Sequence, residues 1–563
     1  MKNPIVIRLV TLIPIALFFT YFGFFAVDAP WFDDFEAFPA FLLDYLQAPS
    51  IAEKLRLLFK PNNEHRILFG KLVTVLGYAF SGKLDYRWLM LVGNLCIIGI
   101  WWILMRIFER NRLNPWFGLP LVLLLFQPHY HLLTFWAITS LQHQPTAFLV
   151  LLSLYCLVKK SPKSFVLSLL LMVIATFSMS NGMFGWVAGC VVLLVQGRYK
   201  TLAGWGICMV VAVMLYFHGF TTQGNEAGFT FFKQHPHLTI FAFFAFVGGF
   251  LDLIPSHYEP YRFALPIVFG GLLSLFLGIR LWKMLVPSQW SWRNITTRWQ
   301  QIPADQLFLV GGLIYLILNA LVVAILRPRF GFGVLVVSNY KLYPTLFVTL
   351  CYALWALQVP KRQSLSSSQR LSYTIGLGLV LLLNALAYLR FTPEVQNRHR
   401  NLVVNCFNQR HNQVGLGGMV NTPLARYIDS VMQQSIRAGH YRFPTNFYTS
   451  YETELFQKPS QETSIPALRL IETQENFSVQ HLDYQNKNLS DDALYILLKS
   501  DKRTFLFYTQ AIPYQGRNPF KSQKGVVAFV PRSMLYEGQY QVGLLIVNGS
   551  EHELVWTNQR LKK

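Results

Sequence analysis

Long apolar runs broken by short polar connections fill the first 390 residues, and an alternating pattern replaces them afterwards. Runs of near-spanning length begin around Ile5, Trp88, Trp116, Thr146, Phe165, Phe184, Leu202, Ala264, Leu307, Leu342 and Leu371; about 20 apolar residues let a helix cross a bilayer core. Two further runs, 67–80 and 238–254, are ambiguous. Beyond residue 400, the segment 423–438 reads as a helix, and 493–498, 504–508, 525–530 and 539–547 read as strands. The pattern predicts an α-helical polytopic membrane domain over 1–390 and a soluble α+β or β-rich domain over 391–563, which is long enough for its own core.

Charge decides the ambiguous runs, because Lys and Arg in short connections mark the cytoplasmic side of a membrane. Lys2/Arg8, Arg106/Arg110/Arg112, Lys159/Lys160/Lys163, Arg198/Lys200, Arg280/Lys283/Arg293/Arg298 and Lys361/Arg362/Arg370 fall on one side when neither ambiguous run crosses. That gives about eleven transmembrane helices, with the N-terminus inside and the tail outside; thirteen result if both runs cross. Lys71 sits within the run 67–80, which reads better as a helix lying in the outer interface. The first run is too long for an ordinary signal-peptide core and reads as a retained span. Composition agrees: 53% of the 563 residues are hydrophobic and only 13% charged, against about 25% charged in a soluble domain. The formal charge of +22 is scattered singly or in threes between apolar runs, a distribution of cytoplasmic loops and not of a nucleic-acid surface. Five of the six cysteines lie inside apolar runs, so no disulfide framework is expected.

The acids are distributed differently. Seven of the 13 Asp and Glu before residue 391 lie between Asp28 and Glu64, all in the first outer loop. Carboxylates contribute little to orienting a chain, so topology does not ask for this cluster. In Asp28-Ala-Pro-Trp-Phe-Asp-Asp-Phe-Glu-Ala-Phe38 they alternate with aromatic side chains that hold a segment at headgroup level. Ser50-Ile-Ala-Glu53 is a capping box opening a short helix that Pro61 ends, and Asn62 or Asn63 can cap a next helix beginning Glu64-His65-Arg66. The loop is therefore expected to be built from short surface helices.

The acidic pair Asp33/Asp34 just beyond the first span, the surface helices, the Asn63-Glu64-His65-Arg66 segment and the many later spans resemble the GT-C class of membrane glycosyltransferases. Protein O-mannosyltransferases and lipid A aminoarabinose transferases are its better-known members. Ser178-Met-Ser-Asn-Gly182, Arg327-Pro-Arg-Phe-Gly-Phe-Gly333 with Ser338-Asn-Tyr-Lys341, and the soluble tail are similar to a bacterial subgroup of that class. The late-loop pattern of that subgroup more often reads Ser-Arg-Tyr, where this chain has Asn339 in the middle. The resemblance covers roughly the first 390 residues.

The resemblance implies a multi-pass enzyme of the bacterial inner (plasma) membrane with a periplasmic or extracellular tail. It would move a sugar from a polyprenyl-phosphate-linked donor to a hydroxyl of a lipid, glycan or protein acceptor, with inversion. One general base is needed, and no acid, because phosphate leaves well as an anion. By motif position the base is Asp33 or Asp34, with Asp34 slightly favoured because it directly precedes the aromatic-flanked helix start at Glu36. Glu36, Glu64 and His65 are candidates to hold the acceptor or a divalent cation, Mg or Mn suiting a carboxylate-rich site. Arg66, Arg327, Arg329 and Lys341 are candidates for the lipid phosphate, which Arg meets with paired donors. The segment Gln127–Trp136, continuing through Gln142-His-Gln144, brings His129, His131 and Trp136 forward as sugar contacts. The alternative is a lipid or polysaccharide transporter or flippase with the acidic loop as its gate. Transporters usually keep ionisable residues near the midplane and show repeated halves, whereas the acids here crowd one surface loop.

Overall fold

The computed structural model describes residues 4–62, 65–220, 225–254, 259–286, 292–358, 367–457, 462–486, 491–514 and 522–563. It is mostly helical (68%) with a C-terminal β-sheet region. The chain divides into two compact units: Met1–Phe24, Ala48–Val73 and Leu89–Phe391 form the first, and Phe25–Gln47, Thr74–Trp88 and Thr392–Lys563 the second.

Among the described residues, five helices are long and apolar enough to cross a membrane: Tyr86–Arg110, Tyr199–Phe217, Pro260–Leu285, Ala304–Leu326 and Arg370–Asn412. Shorter apolar helices accompany them at Leu9–Phe25, Leu68–Ser81, Pro162–Ser178, Ser180–Val195 and Pro236–Val247. Tyr199–Phe217 and Pro260–Leu285 bury only 17% of their apolar stretch against protein, leaving Ile207, Met214, Leu272 and Trp282 exposed. A soluble protein does not leave apolar patches of that extent in water, so these faces suit lipid. Inside, Trp186 and Trp205 pack at 4.6 Å with both indole N–H groups satisfied, by Thr176 Oγ1 and the Trp186 carbonyl. Buried tryptophans generally need such partners.

Three expected elements differ. The run at Trp116 is not one helix: a turn at Pro115–Phe117 leads into the eight-residue helix Gly118–Leu125, and a second turn follows at Pro128–Tyr130. Pro128 holds Gln127 extended (φ −155°, ψ 158°), as the residue before a proline prefers, and the helix stops. The helix of the Thr146 run starts earlier, at Ala137, and carries Pro145 inside it. Gln142, His143 and Gln144 are thus helical and buried, not part of an outer loop. Helix Ser367–Asn412 continues for 46 residues through Pro393, well past the end of its apolar run.

The second unit holds a β-sandwich. Its strands are β1 Leu468–Glu472, β2 Asn476–His481, β3 Leu494–Lys499, β4 Thr504–Tyr508, β5 Gln510–Pro513, β6 Ser522–Pro531, β7 Gln539–Asn548 and β8 Glu551–Lys562. They form two antiparallel sheets, ordered β1-β2-β6-β5 and β4-β3-β7-β8. Phe477 and Val479 of β2, Ile496 and Leu498 of β3, Ala528 and Val530 of β6, and Val542 and Leu544 of β7 share one core between the sheets. The helix Pro423–Arg437 opens on the Thr422 hydroxyl, which accepts from Ala425 N at 3.2 Å.

β4 lies at the edge of its sheet, where unpaired backbone groups invite aggregation. The end of helix Ser367–Asn412 closes it. Asn408 donates to the Leu506 carbonyl (2.8 Å) and accepts from the Leu506 N–H (2.9 Å), and one turn later Asn412 donates to the Thr504 carbonyl (2.8 Å). Both asparagines are fully buried, so two side chains spaced i, i+4 do the work of a further strand.

Candidate functional site

The acidic pair belongs to the second unit, in a turn of unusual backbone. Phe32 sits in the left-handed region (φ 46°), a conformation uncommon for a bulky non-glycine residue. Its N–H donates to the Leu416 carbonyl at 3.0 Å, and Gly417 (φ 146°) lies so close that an added Cβ would come within 3.1 Å of the Phe32 backbone. Directly after the pair, Glu36–Ala40 winds as a π-helical turn, a form frequent at functional sites.

The two aspartates are not equivalent. Asp34 is 1% exposed, and its Oδ2 accepts from Trp31 N at 2.9 Å while its own N–H donates to the Trp31 carbonyl at 3.1 Å. Arg398 lies 4.2 Å over the Trp31 ring and its charge acts on Asp34. Asp34 therefore locks the turn. Asp33 is exposed, and partial desolvation holds its carboxyl above the usual carboxylate range. Glu36 is also exposed.

A third carboxyl was not singled out by the sequence. Asp28 accepts from Tyr86 N at 2.7 Å, and its carbonyl accepts from the Tyr441 hydroxyl at 2.9 Å. Burial first, and the charge of Asp85 second, push this carboxyl up to about 7, the range where a general base works well. Its partners stand 58 and 413 residues away in sequence, so no local signal could have marked it.

The first unit holds a neutral polar cluster. Asn181 Nδ2 donates to Asn319 Oδ1 at 2.8 Å and to the Tyr343 hydroxyl. The Tyr343 hydroxyl lies 2.7 Å from His143 Nδ1; accepting from Asn181, it is free to donate to that nitrogen, which places the imidazole proton on Nε2. His65 Nδ1 and Ser180 Oγ are 3.2 Å apart. His143 and Tyr343 are buried, whereas Asn181, Ser180 and His65 are half-buried. Asn181 Oδ1 finds no hydrogen-bond partner among the described residues, an open acceptor suited to a hydroxyl donor. Of this cluster, the sequence suggested His65, the Ser178–Gly182 segment and, within Gln142-His-Gln144, His143; Asn319 and Tyr343 sit in apolar runs and carry no motif.

Several residues expected at the site are engaged elsewhere. Arg66 is one. Its guanidinium donates to the carbonyls of Tyr216 (2.8 Å), His218 (2.6 Å), Leu215 (3.5 Å) and Phe59, closing the C-terminal ends of helices Tyr199–Phe217 and Ile51–Phe59, whose last carbonyls lack partners of their own. Lys71 does likewise for the second of these, donating to Leu57 and Lys60 carbonyls at 2.9 and 2.8 Å. Lys341 is equally committed: 3% exposed, it pairs with Asp252 Oδ2 at 2.9 Å, and Arg262 holds the same carboxylate at 2.9 and 3.0 Å. His129 and His131 are buried, His129 between the rings of Phe250 and Phe391 and His131 with Nδ1 3.2 Å from Ser338 Oγ. They pack the core and offer no face to a sugar, while Trp136 is half-buried at the N-cap of its helix.

Arg327 and Arg329 are half-buried on short turns around Gly331 (φ 90°), with Arg329 4.6 Å over the Phe330 ring. Gly333 takes ordinary turn geometry. Glu64 lies outside the described residues. The expected helix start at Glu64 falls later, at Leu68, because Asn62 and His65 exchange backbone hydrogen bonds of 2.7 and 3.0 Å as an isolated bridge. Ser50 does cap its helix, accepting from Glu53 N at 3.2 Å, while the Glu53 carboxylate turns to Arg56. Among the described residues no three His, Cys, Asp or Glu side chains group closely enough to hold a metal ion.

No protein-family model, no curated protein and no solved structure matches this sequence significantly.

Proposed function

We propose that the chain is a GT-C-like glycosyltransferase of the bacterial plasma membrane, with about eleven crossings, that moves a sugar from a polyprenyl-phosphate-type donor to a hydroxyl acceptor on the outer face. One observation carries the reading: in a chain with a membrane-suited helical unit, a solvent-exposed carboxylate, Asp33, is presented between a left-handed residue and a π-helical turn. Local backbone outliers of this kind cost about 1–3 kcal/mol each and persist mainly where function uses them.

In the proposed reaction Asp33 takes the proton of the acceptor hydroxyl as its oxygen bonds to the anomeric carbon. The bond from that carbon to the lipid phosphate breaks, the phosphate leaves as an anion, and the configuration inverts. Asp34 is a positioning residue that fixes the turn. Arg327 and Arg329 keep the phosphate role, since Arg66 and Lys341 are spent on carbonyls and on Asp252. The neutral amide, phenol and imidazole cluster around Asn181 suits sugar hydroxyls, which need donors and acceptors but no charge.

The second reading, a lipid or polysaccharide transporter, draws on the buried Lys341–Asp252 pair in the helical unit, since buried ion pairs are a common device of transport. Glycoconjugate inventories of cells carrying the wild-type chain, a deletion, Asp33→Asn and Asp34→Asn at matched expression separate the possibilities. Enzyme action predicts that Asp33→Asn reproduces the deletion. If neither substitution changes any glycoconjugate that the deletion changes, the base assignment is wrong; a lipid-linked precursor held on the inner leaflet in the deletion would favour transport.

A further inference from the structure

Just before the turn that presents Asp33, the chain between Phe25 and Asp28 is held by side chains at four points, all within the second unit. Phe25 ends the first helix, Pro4–Phe25, and the last carbonyls of a helix lack partners of their own. The Phe25 carbonyl lies 3.0 Å from His399 Nδ1, and the Ala26 carbonyl accepts from Arg87 Nε at 2.9 Å. The Asp28 carbonyl and carboxyl accept from the Tyr441 hydroxyl and Tyr86 N. His399 differs from the other three because it also reaches the sandwich: its Nε2 stands 3.1 Å from Asp491 Oδ1, just before strand β3. A carbonyl and an ionised carboxylate only accept. A neutral imidazole has one N–H, so it serves one of these partners and turns a lone pair towards the other; the imidazolium serves both.

We propose that His399 is a pH-operated latch on the Asp33 loop: as imidazolium it ties the first residue of the loop to the sandwich, and as a neutral ring it lets go of one of the two. Phe25 is buried, so water replaces the lost donor poorly and the tie has an energetic consequence. Charges of both signs face the ring. On the sandwich side are Asp491, whose carbonyl accepts from the Tyr495 hydroxyl at 2.8 Å, and Arg400, which donates to the Asp492 carbonyl at 3.2 Å. On the loop side are Asp28 and Arg87. Folding brings two acceptors to the protonated ring, so the contact is complete in acid and is lost as pH rises through the range in which an imidazole gives up its proton, about pH 5 to 8. Asp28 responds in the same sense, since burial holds its carboxyl up at about 7. The released loop keeps its ties to Arg87, Tyr86 and Tyr441 and loses the one that reaches β3, so the order of the turn carrying Asp33 follows the pH around it. The latch holds whatever chemistry Asp33 performs.

The test is hydrogen–deuterium exchange of the purified full-length chain in detergent, read by mass spectrometry on peptides covering 26–38 from about pH 5 to 8 and corrected for the intrinsic exchange rate at each pH. It is run on Asp28→Asn, which silences the other titrating group of the segment, and on Asp28→Asn combined with His399→Gln or with Asp491→Asn. From the acid to the alkaline end, Asp28→Asn alone should lose about tenfold in loop protection, the worth of one charge-assisted hydrogen bond, while strand β7 keeps its own. His399→Gln offers a neutral amide that cannot reach both partners and should hold the loop at the alkaline level at every pH. Asp491→Asn keeps an oxygen for Nε2 and removes its charge, so the fall should start at lower pH. Unchanged exchange in β7 across the variants shows that the fold is intact. Loop protection that does not change with pH in Asp28→Asn, a fall shared by β7, a fall that survives His399→Gln, or one that Asp491→Asn leaves unmoved would each overturn the proposal.

Discussion

Asp28 gives the sharpest test of the local electrostatics. Its carboxyl is pushed from an ordinary value of 3.8 up to about 7, by burial first and by the neighbouring charge of Asp85 second. The folded chain therefore keeps a proton that the unfolded chain has released. Stability from this group is fully present below about pH 4, where both states are protonated, and is lost as pH rises towards and through 7. Roughly three pKa units at 1.36 kcal/mol each bound the total loss at about 4 kcal/mol, of which about 2 kcal/mol falls between pH 5 and 7.

Asp28→Asn removes the charge and keeps an oxygen to accept from Tyr86 N. Thermal unfolding of the purified chain in detergent, followed from pH 5 to 8 for both proteins, is the assay. At pH 5 the gap in favour of the asparagine variant should be at its smallest in this range, and it should widen as pH rises. At pH 8 the asparagine variant should be the more stable, by several degrees, since 1 kcal/mol moves the midpoint of a domain of this size by roughly 2–4 °C. A difference between the two proteins that does not change with pH, or that grows as pH falls, would refute the argument that a buried carboxyl is being forced to ionise.

Other outcomes follow from the same geometry. Asp34→Ala deprives the Trp31 N–H of its acceptor at a site 1% exposed and should cost about 1–3 kcal/mol, visible as a lower thermal midpoint, whereas Asp33→Ala should leave the midpoint almost unmoved. Arg66→Gln strands carbonyls at the ends of two helices and removes a charge ringed by Phe177, Tyr216 and Phe220; a loss of about 2–4 kcal/mol is expected, measured by denaturation, and a wild-type midpoint with impaired donor binding would instead restore Arg66 to phosphate recognition. Asn408→Ala unpairs both backbone groups of Leu506 and should cost about 2 kcal/mol or more while raising aggregation through the freed β4 edge, read by light scattering on heating.

The period of the apolar pattern settled the coarse architecture, because burial in lipid and alternation across a sheet are local properties of a chain. It marked a helical body, the helix after Thr422, and four of the eight strands among the described residues, β3, β4, β6 and β7; the shorter or more polar β1, β2, β5 and β8 lack that alternating run. The Ser50 half of the expected capping box was equally legible, since its partner is three residues away, whereas the Glu53 carboxylate went to Arg56 instead. Proline decided what hydropathy could not, ending the Trp116 run at Gln127 and yet being carried inside the helices at Pro145 and Pro393.

Side-chain roles were another matter. A lone Arg or Lys in an outer loop looks the same in sequence whether it meets a phosphate or closes a helix, and only the fold brought Arg66 to Tyr216 and His218 and Lys341 to Asp252. Asp33 and Asp34 are chemically identical neighbours, and it is the turn that buries one and exposes the other. Periodicity and composition are summed over many residues, so the linear chain determines them; the pairing and desolvation of a single charge depend on groups distant in sequence, and the tertiary structure alone decides them.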